Sequence, residues 1–171
     1  MKTTKSTLYI LGLALIGAGI FFWYVAGQQV VDVSPSSTRT GTIYLVKTGD
    51  GTAVNGATLG CGDTLAAYDV MYSTTQGKVH GLLNALLNNH QETIGTKKLR
   101  NALWQSRLEI SSITTANGKT TVALTGTVKL GGTCDGPRFV QQIQNTVDQA
   151  AGKTVDITVN GKALATYQSS K

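Results

Sequence analysis

The sequence predicts an α+β fold, a two-layer sandwich in which two helices cover one face of a mixed sheet, behind an N-terminal transmembrane helix. Three observations predict it: stretches that alternate apolar and polar residues, two stretches with apolar residues at helical spacing, and two Asn-Gly pairs typical of hairpin turns. The predicted order of elements in the domain is β-β-α-β-β-α-β-β. A chain of 171 residues, 41% of them hydrophobic, is long enough for one such domain with its own core.

Two strands and a helix are predicted first. Residues 42–48 are apolar on both faces, as in a central strand, and residues 65–72 form a second apolar stretch of strand length. Residues 78–89 carry a stripe of valine and leucine at helical spacing, which predicts an amphipathic helix. Residues 90–106 are the least regular part of the domain.

A hairpin is predicted next. Residues 108–115 and 120–130 flank Asn117-Gly118, a pair that favours a tight turn between antiparallel strands. In the second strand, apolar side chains alternate with threonine and alanine, which predicts one buried face and one threonine-covered face. The apolar residues of the first strand change phase along it, which predicts a β-bulge.

A second helix and two strands complete the domain. The helix is predicted to begin at Pro137, with Asp135 as its cap and Gly152 as its end. Residues 155–159 alternate as a strand, and the second Asn-Gly pair then predicts a turn into a short edge strand at residues 163–166.

The N-terminal segment from Leu8 to Ala26 holds 19 residues without a charge. As a helix it would be about 28 Å long, close to the hydrocarbon thickness of a bilayer. Lys2 and Lys5 precede it, so the positive-inside rule places the N-terminus in the cytoplasm and the rest of the chain outside. The alternative is a cleaved signal peptide, with small residues around Ala26 as the cleavage site.

The sequence is therefore predicted to have five parts. These are a cytoplasmic N-terminus (1–7), a transmembrane helix or signal anchor (8–26), an extracytoplasmic linker (27–41), the domain (42–167) and a tail (168–171). The parts outside the membrane carry 13 basic and 9 acidic residues. This net charge of about +4 is mild and diffuse, so no nucleic-acid partner is predicted.

The two cysteines, Cys61 and Cys134, both lie in glycine-rich turns of the predicted external domain. An oxidising compartment and an even count of cysteines favour one disulfide bond between them. Two free buried thiols are the alternative. No metal site is predicted, because these turns offer too few further His or Cys ligands.

Several motifs occur in an order that resembles a known family. Besides the leucine-rich helix they are IYLV at 43–46, LGCGDTL at 59–65, NALW at 101–104, VALTG at 122–126 and GGTCDGPR at 131–138. Together they are similar to the GerMN domain of sporulation and germination proteins, over residues 41 to about 165.

This resemblance implies a non-catalytic domain of bacterial envelope proteins, with a fold similar to the ring-building domains of secretion-type assemblies. In spore formers, the family's protein serves a channel complex between two cells. The chain differs from that protein in having one copy of the domain instead of two. It also has a helical anchor in place of a lipidated cysteine.

The cysteine turns contain the residues of a possible catalytic or cation site. If Cys61 and Cys134 pair, then Asp63, Asp135 and Arg138 come close together, and two carboxylates can serve acid–base chemistry or hold a cation. The alternative, which we favour, is structural. The carboxylates accept backbone N–H groups in their turns, and Arg138 neutralises one of them.

Other catalytic signals are missing from the sequence. His80 and His90 have no carboxylate or cysteine spaced to orient them, so a surface or half-buried role is expected for both. The chain contains neither a G-x-S-x-G elbow nor a phosphate-binding glycine loop. The sequence therefore predicts no enzyme, no catalytic residue and no cofactor.

Two groups of residues are candidates for contacts with other molecules. The face of the predicted sheet without helices is expected to present the threonines Thr121, Thr125, Thr127, Thr154 and Thr158. Such a face, or a sheet edge, can receive a partner protein, although simple hydration is an equal alternative. A basic run suggests attraction to anionic polymer or lipid, with a solvated surface as the alternative. Its residues are Lys97, Lys98, Arg100 and Arg107.

The expected function is that of a single-pass protein of the bacterial cell membrane with its C-terminal domain outside. The domain is expected to act in envelope assembly or protein interaction, with an envelope protein or a second copy as partner. The alternative is a domain that binds a small ligand or an anionic wall polymer.

Overall fold

The computed structural model describes residues 37–49 and 59–169. The predicted cytoplasmic N-terminus, the membrane segment from Leu8 to Ala26 and most of the predicted linker lie outside the described residues. Within the described part of the chain, no helix is both long enough and apolar enough to cross a bilayer.

The first sheet is antiparallel and has the strand order β2-β1-β4-β3. Strands β1 (Thr38–Lys47) and β2 (Thr64–Ser73) pair along their whole length. The short strand β4 (Leu99–Arg100) joins β1 only at Val46, and β3 (Thr93–Ile94) pairs with β4. Among the described residues, most of the second edge of β1 therefore has no strand beside it.

The second sheet is mixed and has the order β5-β6-β7-β8. Strands β5 (Arg107–Ala116) and β6 (Lys119–Thr127) form the predicted hairpin. Strand β7 (Asp156–Val159) runs parallel to β6, and β8 (Lys162–Ala163) is antiparallel to β7. A 3-10 helix, Leu164–Ser169, follows β8.

Two α-helices, α1 (Lys78–Leu87) and α2 (Asp135–Ala151), connect these strands. Helix α2 links β6 to β7, because two parallel strands need a crossover of this kind. It ends at Gly152, whose left-handed backbone (φ 69°) carries the N–H that bonds to the carbonyl of Asp148.

Both helices and both sheets share one hydrophobic core. Apolar residues that recur at helical spacing on α1 and α2 meet the inward-facing residues of β1, β5, β6 and β7 there. The central members are Ile43, Leu45, Leu82, Leu83, Leu86, Leu108, Val122, Leu124, Phe139, Ile143, Val147, Ile157 and Val159.

Helix α2 also supplies hydrogen bonds to the open edge of β1. Thr146 Oγ1 accepts the backbone N–H of Tyr44 at 3.0 Å, and Gln142 Nε2 donates to the Tyr44 carbonyl at 3.1 Å. Gln142 Oε1 also accepts the N–H of Ala102 at 2.7 Å. Both α2 side chains are fully buried, so they take the place of a neighbouring strand.

Helix α1 packs unusually close to β2. A Cβ atom built on Gly81 would lie 2.3 Å from the carbonyl oxygen of Ser73 and 2.4 Å from the ring of Tyr72. A larger residue at position 81 would therefore push α1 away from β2.

Most of the predicted elements are confirmed. The α+β class, the strands β1, β2, β5, β6 and β7, both helices and both Asn-Gly turns are present. The predicted bulge is found in β5, where the pairing register shifts between Ile110 and Ser112.

Several details of the prediction were wrong. The strands form two sheets instead of one, because helix α2 occupies the edge of β1 where a strand of the second sheet would pair. Helix α1 contacts strands of both sheets, so the helices do not cover one face of a single layer. Strand β1 begins at Thr38, inside the predicted linker 27–41.

The end of the domain and its irregular middle also differ from the prediction. The predicted edge strand at 163–166 is reduced to β8, because the chain turns into the 3-10 helix at Leu164, which is buried. Strands β3 and β4 lie in residues 90–106, where no strand was predicted.

Candidate functional site

The two cysteines form a disulfide bond, as predicted. Cys61 lies in the turn before β2 and Cys134 directly precedes α2, with their Cα atoms 6.1 Å apart. Cys61 has a left-handed backbone (φ 55°) between two glycines, Gly60 and Gly62, that are also left-handed. The N–H of Asp63 closes this turn on the carbonyl of Gly60 at 3.1 Å.

The disulfide brings Asp63, Asp135 and Arg138 together. We call these three residues and the two cysteines the disulfide cluster. The Arg138 side chain, 14% exposed, donates from Nε and Nη2 to Asp63 Oδ2, both at 2.6 Å. Its Nη1 donates to Asp135 Oδ1 at 3.0 Å. The Asp63 side chain is only 2% exposed, so this is a buried, hydrogen-bonded ion pair.

Backbone groups and a second guanidinium complete the cluster. Asp63 Oδ1 accepts the N–H of Gly49 at 3.3 Å, and Asp135 Oδ2 accepts that of Gly131 at 2.8 Å. Arg100 Nη2 lies 3.5 Å from Asp135 Oδ2. Both carboxylates are thus held by an arginine and a backbone N–H, which favours the structural interpretation over acid–base chemistry.

The predicted role of Asp135 as a helix cap was wrong. Helix α2 begins at Asp135 itself, and Cys134 occupies the cap position without a side-chain hydrogen bond. The carboxylate of Asp135 bonds to the N–H of Gly131 and to Arg138 instead.

The threonine-covered face predicted on β6 is present. Thr121, Thr125 and Thr127 are exposed on it, and Thr158 of β7 is half-buried beside Ala123. Thr154 is exposed, but it lies in the loop before β7 and outside the sheet.

Strand β5 contributes residues to this face that the sequence analysis missed. Thr114 lies opposite Thr121, with their hydroxyl oxygens 2.6 Å apart, and Ser112 lies opposite Ala123. The bulge changes which residues of β5 point outward, so simple alternation does not reveal them. We call the surface formed by Ser112, Thr114, Thr121, Thr125, Thr127 and Thr158 the hydroxyl face.

One exposed ion pair lies at the end of the hydroxyl face near the hairpin turn. Lys119 Nζ is 2.6 Å from Asp156 Oδ2. The hydrogen bond and the negative charge of Asp156 raise the pKa of Lys119. Both side chains are largely exposed, so salt screens this pair.

The fold and the paired cysteines allow a comparison with known families. A family model named Germane, described as sporulation and spore germination, matches residues 42–165. The chain belongs to the Germane family. The matched residues run from β1 into the final 3-10 helix and include the disulfide cluster and the hydroxyl face. No curated protein and no solved structure matches the chain.

Membership of the Germane family confirms the resemblance to the GerMN domain found in the sequence. The matched residues nearly coincide with the predicted domain 42–167. Strand β1 starts at Thr38, four residues before the first matched residue.

The basic run of the Germane domain does not form one free cationic patch. Lys97 and Lys98 are exposed in the turn between β3 and β4. Arg100 bonds to Glu92 at 2.6 Å besides contacting the disulfide cluster. Arg107 Nη1 lies 3.1 Å from His90 Nδ1 and donates to two backbone carbonyls. The two arginines of the run are therefore engaged with other residues of the domain, while the two lysines are exposed in their turn.

A polar depression lies at the C-terminal end of α1 in the Germane domain. It has a volume of about 390 Å³ and is lined by Ala85, Asn88, Asn89, His90 and Gln91. The sequence predicts a surface or half-buried role for His90 and no site for its amide neighbours. In the described part of the chain, no group of three or more His, Cys, Asp or Glu residues is placed to hold a metal ion.

Proposed function

We propose that this Germane domain is a non-catalytic interaction module of the bacterial cell envelope, held outside the membrane by the segment from Leu8 to Ala26. The observation that carries the proposal is the hydroxyl face, an exposed sheet surface lined mainly by short hydroxyl side chains, with Glu109 and Arg107 of β5 opposite Thr125 and Thr127. The family description, sporulation and spore germination, agrees with an envelope role.

The chemistry of the hydroxyl face suits protein contact. A hydroxyl both donates and accepts hydrogen bonds, so a partner can pair with it in more than one orientation. β-branched side chains in a sheet also lose little rotamer freedom when they are covered. An envelope protein or a second copy of the chain is therefore a suitable partner, whereas the carboxylates of the disulfide cluster are already engaged.

In vivo photo-crosslinking tests the interaction. A photoreactive residue replaces Thr125 on the hydroxyl face or, as the matched control, Thr40, an exposed threonine in the first sheet. We expect a discrete crosslinked product from position 125 and none from position 40. Equal products from both positions, or none from either, would contradict the proposal.

The nature of the partner and the anchor are tested separately. Light scattering on fragment 28–171 distinguishes self-association from binding of another protein. N-terminal sequencing of the mature protein distinguishes the anchor from a signal peptide, since cleavage gives a start near Gln28. A C-terminal reporter enzyme that is active only outside the cytoplasm tests the orientation.

A further inference from the structure

We propose that the depression at the end of α1 binds a neutral oligosaccharide that carries N-acetyl groups. We call this depression the amide pocket, after the side chains of Asn88, Asn89 and Gln91 that line it together with Ala85 and His90. The amide pocket and the hydroxyl face are formed by different residues. Ligand binding in the pocket therefore does not depend on the proposed protein contact at the hydroxyl face.

The lining of the amide pocket matches the groups of such a sugar. A carboxamide has two N–H donors and a carbonyl acceptor, so it pairs with hydroxyl groups and with the acetamido group. None of the lining residues is a carboxylate or an ammonium. The depression has a volume of about 390 Å³ and is open to solvent, so a ligand would lie against it without being enclosed.

The backbone of the amide pocket is held from below by Asn101, which is fully buried. Asn101 Nδ2 donates to the Asn89 carbonyl at 2.6 Å, and its backbone N–H donates to the Glu92 carbonyl at 2.8 Å. Asn89 Oδ1 accepts the N–H of Gln91 at 3.1 Å. The loop is therefore organised before a ligand arrives, which lowers the entropy lost on binding.

The orientation of His90 follows from its neighbour Arg107. A guanidinium only donates hydrogen bonds, so the contact of 3.1 Å makes His90 Nδ1 an acceptor. The imidazole then carries its proton on Nε2, which provides a donor for a sugar oxygen. Asn88 Nδ2 donates to Asn84 Oδ1 at 2.8 Å, which leaves Asn88 Oδ1 as an acceptor.

The placement of charge favours a neutral ligand over an anion. Arg107 Nη1 is directed to His90 and to the carbonyls of Trp104 and Ser106. The nearby Arg100 is paired with Glu92. An anionic polymer would therefore have to compete with existing contacts, whereas the amides of the pocket are exposed or half-exposed.

Titration of the full chain with the tetramer of N-acetylglucosamine tests the proposal by NMR. The chain is kept in a detergent without a sugar headgroup, and the glucose tetramer, which lacks acetamido groups, serves as the comparison ligand. Up to about 10 mM ligand, we expect saturable shifts of the backbone amides at residues 88–91 with the acetylated tetramer. The glucose tetramer is expected to bind more weakly.

Three variants make the test specific. Asn88→Ala and Gln91→Ala each remove an exposed amide of the pocket and should weaken binding about fivefold, as expected for one lost hydrogen bond. Gln76→Ala removes an exposed amide at the other end of α1 and should leave binding unchanged. Unaltered amide shifts of the core in each unliganded variant show that the domain is still folded.

Four results would overturn the proposal. They are no saturable shift, shifts centred outside the amide pocket, equal binding of the two tetramers, and equal loss of affinity in Gln76→Ala and Asn88→Ala. Tight binding of a polyglycerol phosphate at residues 88–91 without binding of the acetylated tetramer would assign the pocket to anions instead.

Discussion

Replacing Gln142 by leucine tests whether helix α2 acts as the missing neighbour of β1. Leucine has a similar size and a good helix propensity, so the change removes the hydrogen bonds without disturbing the helix itself. It leaves two backbone groups without their partner: the N–H of Ala102, whose hydrogen bond is buried, and the carbonyl of Tyr44, whose hydrogen bond is part-buried.

The magnitude follows from these two backbone groups. An unsatisfied buried polar group costs about 1–3 kcal/mol, so loss of the partner of the Ala102 N–H should lower the free energy of unfolding by about that amount, and the part-buried Tyr44 carbonyl adds a smaller loss. Single domains are stable by only about 5–15 kcal/mol, so the loss is a large fraction of the total. Urea unfolding of fragment 28–171 should show the midpoint lowered by about 1 M.

The control for Gln142→Leu is Gln149→Leu, since Gln149 is exposed on the same helix. Both variants make the same chemical change, and only the first removes buried contacts. If the two variants unfold at the same urea concentration, the side chain of Gln142 does not support the edge of β1 and the reasoning is wrong.

Three further predictions concern other parts of the domain. Arg138→Met leaves two carboxylates without their main partner and should lower the unfolding free energy by about 3–5 kcal/mol, whereas Lys119→Met, at an exposed ion pair, should change it little. Urea unfolding measures both, and equal effects would contradict a buried pair. Cys61→Ser opens a loop with a sequence separation of 73 and should cost about 4 kcal/mol. Dithiothreitol should lower the unfolding free energy of the wild type by a similar amount and leave that of Cys61→Ser unchanged. Charge reversal of Lys97 and Lys98 together should abolish salt-sensitive binding to anionic vesicles in a sedimentation assay, and unchanged binding would exclude this turn as the contact.

The elements with strong local signals could be predicted from the sequence. Alternation identified β6 and β7, and Asn117-Gly118 identified the hairpin because both residues adopt the positive φ that its turn requires. The disulfide could be predicted from the even count of cysteines and the expected oxidising compartment, and with it the proximity of Asp63 and Arg138.

The remaining features depend on tertiary contacts that leave no local pattern. Strands β3 and β4 have two residues each, which is too short for a periodic signal. Gln142 and Thr146 are polar residues on the buried side of α2, so the sequence alone does not show what they bond to. Thr114 was missed in the candidate interaction face because the bulge in β5 reverses its orientation.

The edges of the two sheets limit how this domain can polymerise. In the described residues, each sheet has one ten-residue edge strand, β2 or β5, and ends at its other side on a two-residue strand, β3 or β8. A fibril needs every sheet to accept a strand at one edge and offer an equal one at the opposite edge. Here the opposite edge is too short, and on β1 the backbone groups of Tyr44 are occupied by Gln142 and Thr146. A sheet can therefore gain one partner at its long edge but cannot be extended at its other edge. This protects the domain from amyloid-like growth.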